Sequence, residues 1–183
     1  MIEKPRSIYR RGAEDGLLMG PLLAAVVVLF GAMPFVAWLL IPTTLLAISV
    51  PALTFILLKR SYAEDNGKSS FSALWLHGIC IFFFGGLLMA VAAYTAMRWV
   101  WPTYIVDMMQ LCIETLKATP DAYAIEWGKT LGKAIELGKI PQAADVVVEL
   151  IYFAVLTGSF LSMVLSMIIR SGRRTTLPPS INN

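Results

Sequence analysis

Few side chains in this sequence are equipped for chemistry, and they fall in apolar surroundings. His77 is the only histidine. Glu149, Tyr152, Ser159, Ser162 and Ser166 follow one another at spacings of 3, 7, 3 and 4, which suggests a shared helix face. A histidine can relay a proton or switch a charge near neutral pH. A carboxylate deep in a membrane is a proton or cation site by default, and hydroxyls on one face can bond across helices. Each group also has a plainer reading. His77 would be satisfied by an interhelical hydrogen bond, Glu149 would snorkel to the interface from one turn inside its span, and the serines would pack. A lone histidine without Cys, Asp or Glu on its own face is weak metal-site evidence. Cys80 and Cys112 are too few for a disulfide framework. There is no phosphate-binding glycine loop, dinucleotide fingerprint, HExxH or paired-carboxylate pattern. The reading is therefore non-enzymatic, with no catalytic, cofactor-binding or metal residue assigned.

The elements that hold these residues follow from composition. Of 183 residues, 57% are apolar and only 15% charged, and mean hydropathy is +0.70. Soluble domains carry about 25% charged residues. Residues 19–58 contain no Asp, Glu, Lys or Arg, and neither do residues 69–97. These runs exclude a soluble enzyme. A net charge of +3 without a basic, aromatic-interleaved patch argues against nucleic acid. Backbone polar groups in lipid must bond within their own segment, so runs of this length are helices, each needing about 20 residues to cross.

The expected fold is all-α: a polytopic membrane protein with a four-transmembrane-helix bundle. Span 1 covers 16–32, span 2 covers 35–58, span 3 covers 71–97 and span 4 covers 146–169. The turn between spans 1 and 2 is set at Gly31-Ala32-Met33-Pro34, with Pro42 as the competing break. Pro21 and Pro51 should bend their helices locally. Ser69 and Ser70 are candidate caps of span 3. Ten of the 15 basic residues lie in 1–15, 59–70 and 170–183. Four crossings put these segments on one side, as the positive-inside rule requires. That makes the tails 1–15 and 170–183 cytoplasmic and the 98–145 insert extracytoplasmic, within a single domain 1–183. Glu14 and Asp15 directly before the apolar run argue that span 1 is retained rather than cleaved as a signal peptide.

The insert reads as two amphipathic helices broken at Thr119-Pro120-Asp121. Ile105, Met109, Cys112 and Leu116 share one face, and Ala124, Trp127, Leu131, Ala134 and Ile135 another. Trp99, Trp101 and Tyr104 mark the outer interface. Small residues recur every fourth position: Gly16, Gly20 and Ala24 on span 1, Gly86 and Ala90 on span 3, and Gly158 ahead of Ser162 and Ser166 on span 4. Such stripes let helices approach closely in lipid. They serve packing within the bundle or, in the sharper reading, a seam with another protein.

The layout resembles a bacterial family of uncharacterised four-span inner-membrane proteins, a domain of unknown function. The resemblance rests on Asp15-Gly16 with Gly20, on Lys59-Arg60-Ser61-Tyr62 followed by Gly67-Lys68-Ser69-Ser70-Phe71-Ser72-Ala73-Leu74, and on Trp101-Pro102-Thr103-Tyr104. It implies a multi-pass protein of the bacterial inner membrane. It also implies a membrane-associated glycosyltransferase acting on polyprenyl-phosphate sugars as partner, and hence an accessory role in envelope glycan assembly. The expected function is a non-catalytic scaffold or accessory subunit in contact with the lipid bilayer and with a protein partner or its own copies. The alternative is a small oligomeric transporter or flippase-like subunit with His77, Glu149 and the span 4 hydroxyls lining its path.

Overall fold

The computed structural model describes residues 7–171, and among these the chain is all-helical. Six α-helices follow in order: α1 (Ile8–Ala32), α2 (Leu40–Glu64), α3 (Phe71–Thr95), α4 (Tyr104–Ala118), α5 (Ala122–Glu136) and α6 (Ala143–Ser171). A 3₁₀ turn, Ala37–Leu39, leads into α2, and a π-helical turn, Ala96–Val100, continues α3. Four helical stretches are long and apolar enough to cross a bilayer: Ile8–Ala32, Ala37–Glu64, Phe71–Val100 and Ala143–Ser171. That is the make-up of a membrane protein. Residues 1–6 and 172–183, which include part of both basic tails, lie outside the described residues.

The helices start and stop for local reasons that charge alone does not reveal. α1 begins at Ile8, eight residues before the apolar run at 16, because Ser7 accepts the Arg10 N–H at 3.3 Å and caps it. Arg10 and Glu14 then pair along the exposed first turns. The turn after Ala32 lies at the Gly-Pro break, yet α2 starts only at Leu40. Pro42 explains the delay: it fits the first turn of a helix, where its missing N–H removes no bond. The other end of α2 runs past 58 to Glu64, supported by the Arg60–Glu64 pair. It stops where Asn66 and Gly67 turn left-handed at φ of 53° and 70°. Ser70 caps α3 by accepting the Ala73 N–H at 3.2 Å, whereas Ser69 bonds Asp65 instead. A polarity change thus marks the membrane boundary, and caps mark the helix boundary.

Contacts divide the chain into two compact units. Among the described residues one comprises 7–91 together with 150–171, and the other comprises 92–149.

In the first unit α3 is central. Of its most apolar stretch 56% is buried, against 11% for α2, 33% for α1 and 22% for α6. Met19, Leu23, Leu57, Leu58, Ile81, Phe82, Met89 and Ala154 form the core. α3 bears glycines toward two neighbours. A methyl at Gly16 of α1 would stand 2.6 Å from Phe84 Cβ and 3.1 Å from the Ile81 carbonyl oxygen, so here two backbones all but touch. On the other flank Gly78 abuts Ser162 and Phe82 fills the gap over Gly158. Lipid offers no hydrophobic drive between helices, and this close packing supplies the attraction instead.

In the second unit α4 and α5 pair as a hairpin. Asp121 caps α5 through the Tyr123 N–H, 3.1 Å away, and Gly138 ends it at φ 67°. The expected faces largely hold, since Ile105, Met109 and Leu116 on α4 and Ala124, Leu131, Ala134 and Ile135 on α5 are half-buried, with two departures. Ile113 and Gly128 are buried, while Cys112 and Trp127 are exposed. Gly128 faces Leu116 and the Ile113 carbonyl at ordinary contact distance.

Candidate functional site

The densest polar cluster of the first unit lies where α1, the end of α2 and the start of α3 meet. Extending α1 back to Ile8 places Asp15 two turns inside a helix. It lies on the face that carries Gly12, Gly16 and Gly20 against α3. His77 lies two turns into α3. Its Nε2 donates to Asp15 Oδ2 over 3.0 Å, with only 2% of the imidazole residue and 6% of the aspartate exposed. The bond joins residues 62 apart in sequence. His77 Nδ1 is buried without a hydrogen-bond partner.

A second link lies beside it. Arg11 Nη1 donates to Asp65 Oδ1 at 2.7 Å, and the Ser69 hydroxyl donates to Asp65 Oδ2. Burial pushes the Asp65 carboxyl up, but the Ser69 hydroxyl, the Arg11 hydrogen bond and the Arg11 charge together hold it below the usual carboxylate value. Arg11, Glu14, Asp15, Arg60, Ser61 and Glu64 enclose a recess of about 10 Å³. That is room for about one water molecule.

The chemistry open to this cluster is limited. An imidazole and a carboxylate can pass a proton between them. Cys80, three residues after His77, packs against Gly12. Among the described residues no three His, Cys, Asp or Glu side chains are placed to hold a metal ion.

The remaining candidates do not gather around it. Ser162 and Ser166 are fully buried with their hydroxyls unbonded, Ser162 against Gly78 of α3. Ser159 is half-buried, and its carbonyl and hydroxyl oxygens accept from the Trp75 indole at 3.1 and 3.2 Å. Tyr152 is 68% exposed and Glu149 is exposed. The expected single polar face is therefore corrected. From Glu149 to Ser162 the helix turns through about 140°, and Ser162 is buried while the glutamate is exposed.

The small-residue stripes close inside the chain. Gly16 meets Ile81, Phe84 and Gly85, Gly20 meets Leu88, Gly86 stands 3.7 Å from Ala154 Cβ when given a methyl, and Gly158 meets Phe82. Ala90 is buried and Ala24 half-buried. Asp15 and Arg11 escape a reading that starts the helix at 16. The signal that finds them is Gly12, four residues before Gly16, which carries the stripe back through the aspartate.

Residues 14–171 match the model of a family described as "Protein of unknown function (DUF4199)", and the chain belongs to that family. No curated protein and no solved structure matches it.

Proposed function

We propose that this DUF4199 chain is a non-catalytic integral membrane scaffold or accessory subunit of an envelope-associated complex. The observation that carries the reading is the internal use of its polar groups. His77 is spent on Asp15, and the α6 serines and the glycine stripes are turned into helix packing. A solute path would instead keep such groups facing water. The recess by the dyad admits about one water and no cargo.

In this reading the chain sits in a bacterial inner membrane with both termini cytoplasmic and the α4–α5 hairpin outside, as the distribution of basic residues favours. A membrane-associated glycosyltransferase acting on polyprenyl-phosphate sugars is the partner implied by the family resemblance. α2 is the span with least of its surface covered within the chain, and Ile41, Leu45 and Ile48 project from it. A partner helix would replace lipid there.

Affinity capture of the full chain in mild detergent tests this. A stoichiometric membrane protein or a stable homo-oligomer is the expected product, and a monodisperse monomer alone refutes it. Cys112, exposed on α4, reports the orientation. A membrane-impermeant maleimide should label it from the periplasmic side in a Cys80→Ser background. Labelling only after the membrane is permeabilised would invert the topology.

The Asp15–His77 dyad favours one other reading, a small oligomeric transporter or flippase-like subunit that carries a proton with a small solute or lipid-linked substrate. Flux that is unchanged in His77→Ala would eliminate it.

A further inference from the structure

The second unit contains a cavity lined entirely by its own residues. It measures about 450 Å³, within the range of small-ligand pockets. Its walls come from three places: the end of the third apolar stretch, the start of α4 and the segment entering α6. Met97, Trp101, Ile105 and Ile140 supply apolar surface, and Arg98 and Gln142 supply the polar groups.

Three features bear on its occupant. The first is position. Phe71–Val100 ends at this cavity and Ala143–Ser171 begins at it, so it lies where two membrane-crossing stretches stop. Trp99 beside it is 72% exposed, as expected of an aromatic residue at headgroup depth. The second is charge. Arg98 is the only ionisable group in the lining other than the Tyr94 phenol. It makes no ion pair with any described carboxylate, and its side chain is exposed. The third is local backbone. Ala96–Val100 is a π-helical turn closed by the Trp101 N–H on the Ala96 carbonyl at 2.9 Å. Such turns widen a helix and re-aim the residues that follow, and they recur at binding sites.

An apolar pocket with one free guanidinium at headgroup depth matches an amphiphile with a single negative head. A free phosphate would leave the apolar walls unused, and a neutral chain would leave Arg98 unpaired. We propose that this cavity binds an anionic phospholipid, its phosphate held by Arg98 and its first methylenes lying against Trp101, Ile105 and Ile140. Guanidinium is suited to this because its fork can donate two parallel N–H bonds to one phosphate.

Native mass spectrometry of the full chain in detergent tests the site, with phosphatidylglycerol and phosphatidylcholine of identical acyl chains as probes. The wild-type chain should retain one phosphatidylglycerol about tenfold more tightly than phosphatidylcholine, the size of one charge-assisted contact. Arg98→Gln should erase that preference, and Arg98→Lys should keep the larger part of it. Trp101→Ala should weaken both lipids and leave their ratio unchanged. Equal retention of the two lipids by wild type overturns the proposal, as does a preference that survives in Arg98→Gln. Displacement of the lipid by equimolar inorganic phosphate would assign the site to a soluble anion instead.

Discussion

Replacing Asp15 with leucine removes the partner of a histidine that is 2% exposed and whose other ring nitrogen is already unbonded. Two magnitudes compete. Breaking a fully buried pair in a soluble core costs about 3–5 kcal/mol. Polar couplings between membrane helices average about 0.6 kcal/mol and reach about 1.7, because the separated helices also find partners. Asp15 lines a recess that takes about one water, so the carboxylate left behind by His77→Leu is partly relieved. The lower scale therefore governs the coupling between the two side chains. Asp15→Leu and His77→Leu should each cost about 2 kcal/mol. The double variant should cost about 3 rather than 4, a coupling of about 1 kcal/mol, because it leaves no orphaned polar group. Reversible unfolding in mixed micelles with rising sodium dodecyl sulfate, followed by circular dichroism, measures all four corners of the cycle. Additivity within about 0.3 kcal/mol would show that the two side chains do not hold α1 to α3 in the folded protein.

The other expectations concern packing and charge. Gly16→Val should destabilise by about 1–3 kcal/mol, since the Ile81 carbonyl and the Gly85 amide cannot yield without parting two helices. The same micelle titration reads it. Gly132→Ala should stabilise α5 by about 0.5–1 kcal/mol, because nothing lies within 4 Å of the added methyl, and the urea midpoint of the hairpin signal checks it. Asp65 is held below its ordinary value, so its stabilising contribution is complete above the carboxylate range near 3.9 and is lost as pH falls through the lower folded value. Acid titration of the melting temperature should show this loss, and Asp65→Asn should remove that component of the pH dependence. Trp75→Phe should cost about 1 kcal/mol by stripping the indole bond from Ser159.

The fold was legible wherever hydropathy and turn chemistry act alone. The four apolar stretches, the break after Ala32 and the hairpin split at Thr119-Pro120-Asp121 all follow from them. Helix ends were less so, because Arg10 with Glu14 and Arg60 with Glu64 extend helices beyond the oil through pairs that hydropathy counts as breaks. The dyad was half legible. His77 stands out as the only histidine, but its acceptor comes from another helix, and pairing across helices is a tertiary fact. On α4 and α5 the helical period finds most of the facing residues but not the exposure of Cys112 and Trp127. The α6 polar line failed because steps of 3, 7, 3 and 4 drift around a helix, so proximity in spacing did not mean a common face.

The bond between α1 and α3 also has a bearing on how the chain is made. Asp15 and His77 are 62 residues apart. At ribosomal rates of about 5–20 residues per second, Asp15 emerges roughly 3–12 s before its acceptor-seeking partner exists. During that interval α1 and α2 enter the bilayer with a carboxylate whose polar neighbours are Arg11, Arg60 and Ser61, headgroups and water. The first helical pair is thus a provisional structure. Synthesis of α3 turns it into a committed one, and α6 then closes over the opposite flank of a helix already fastened on its first side.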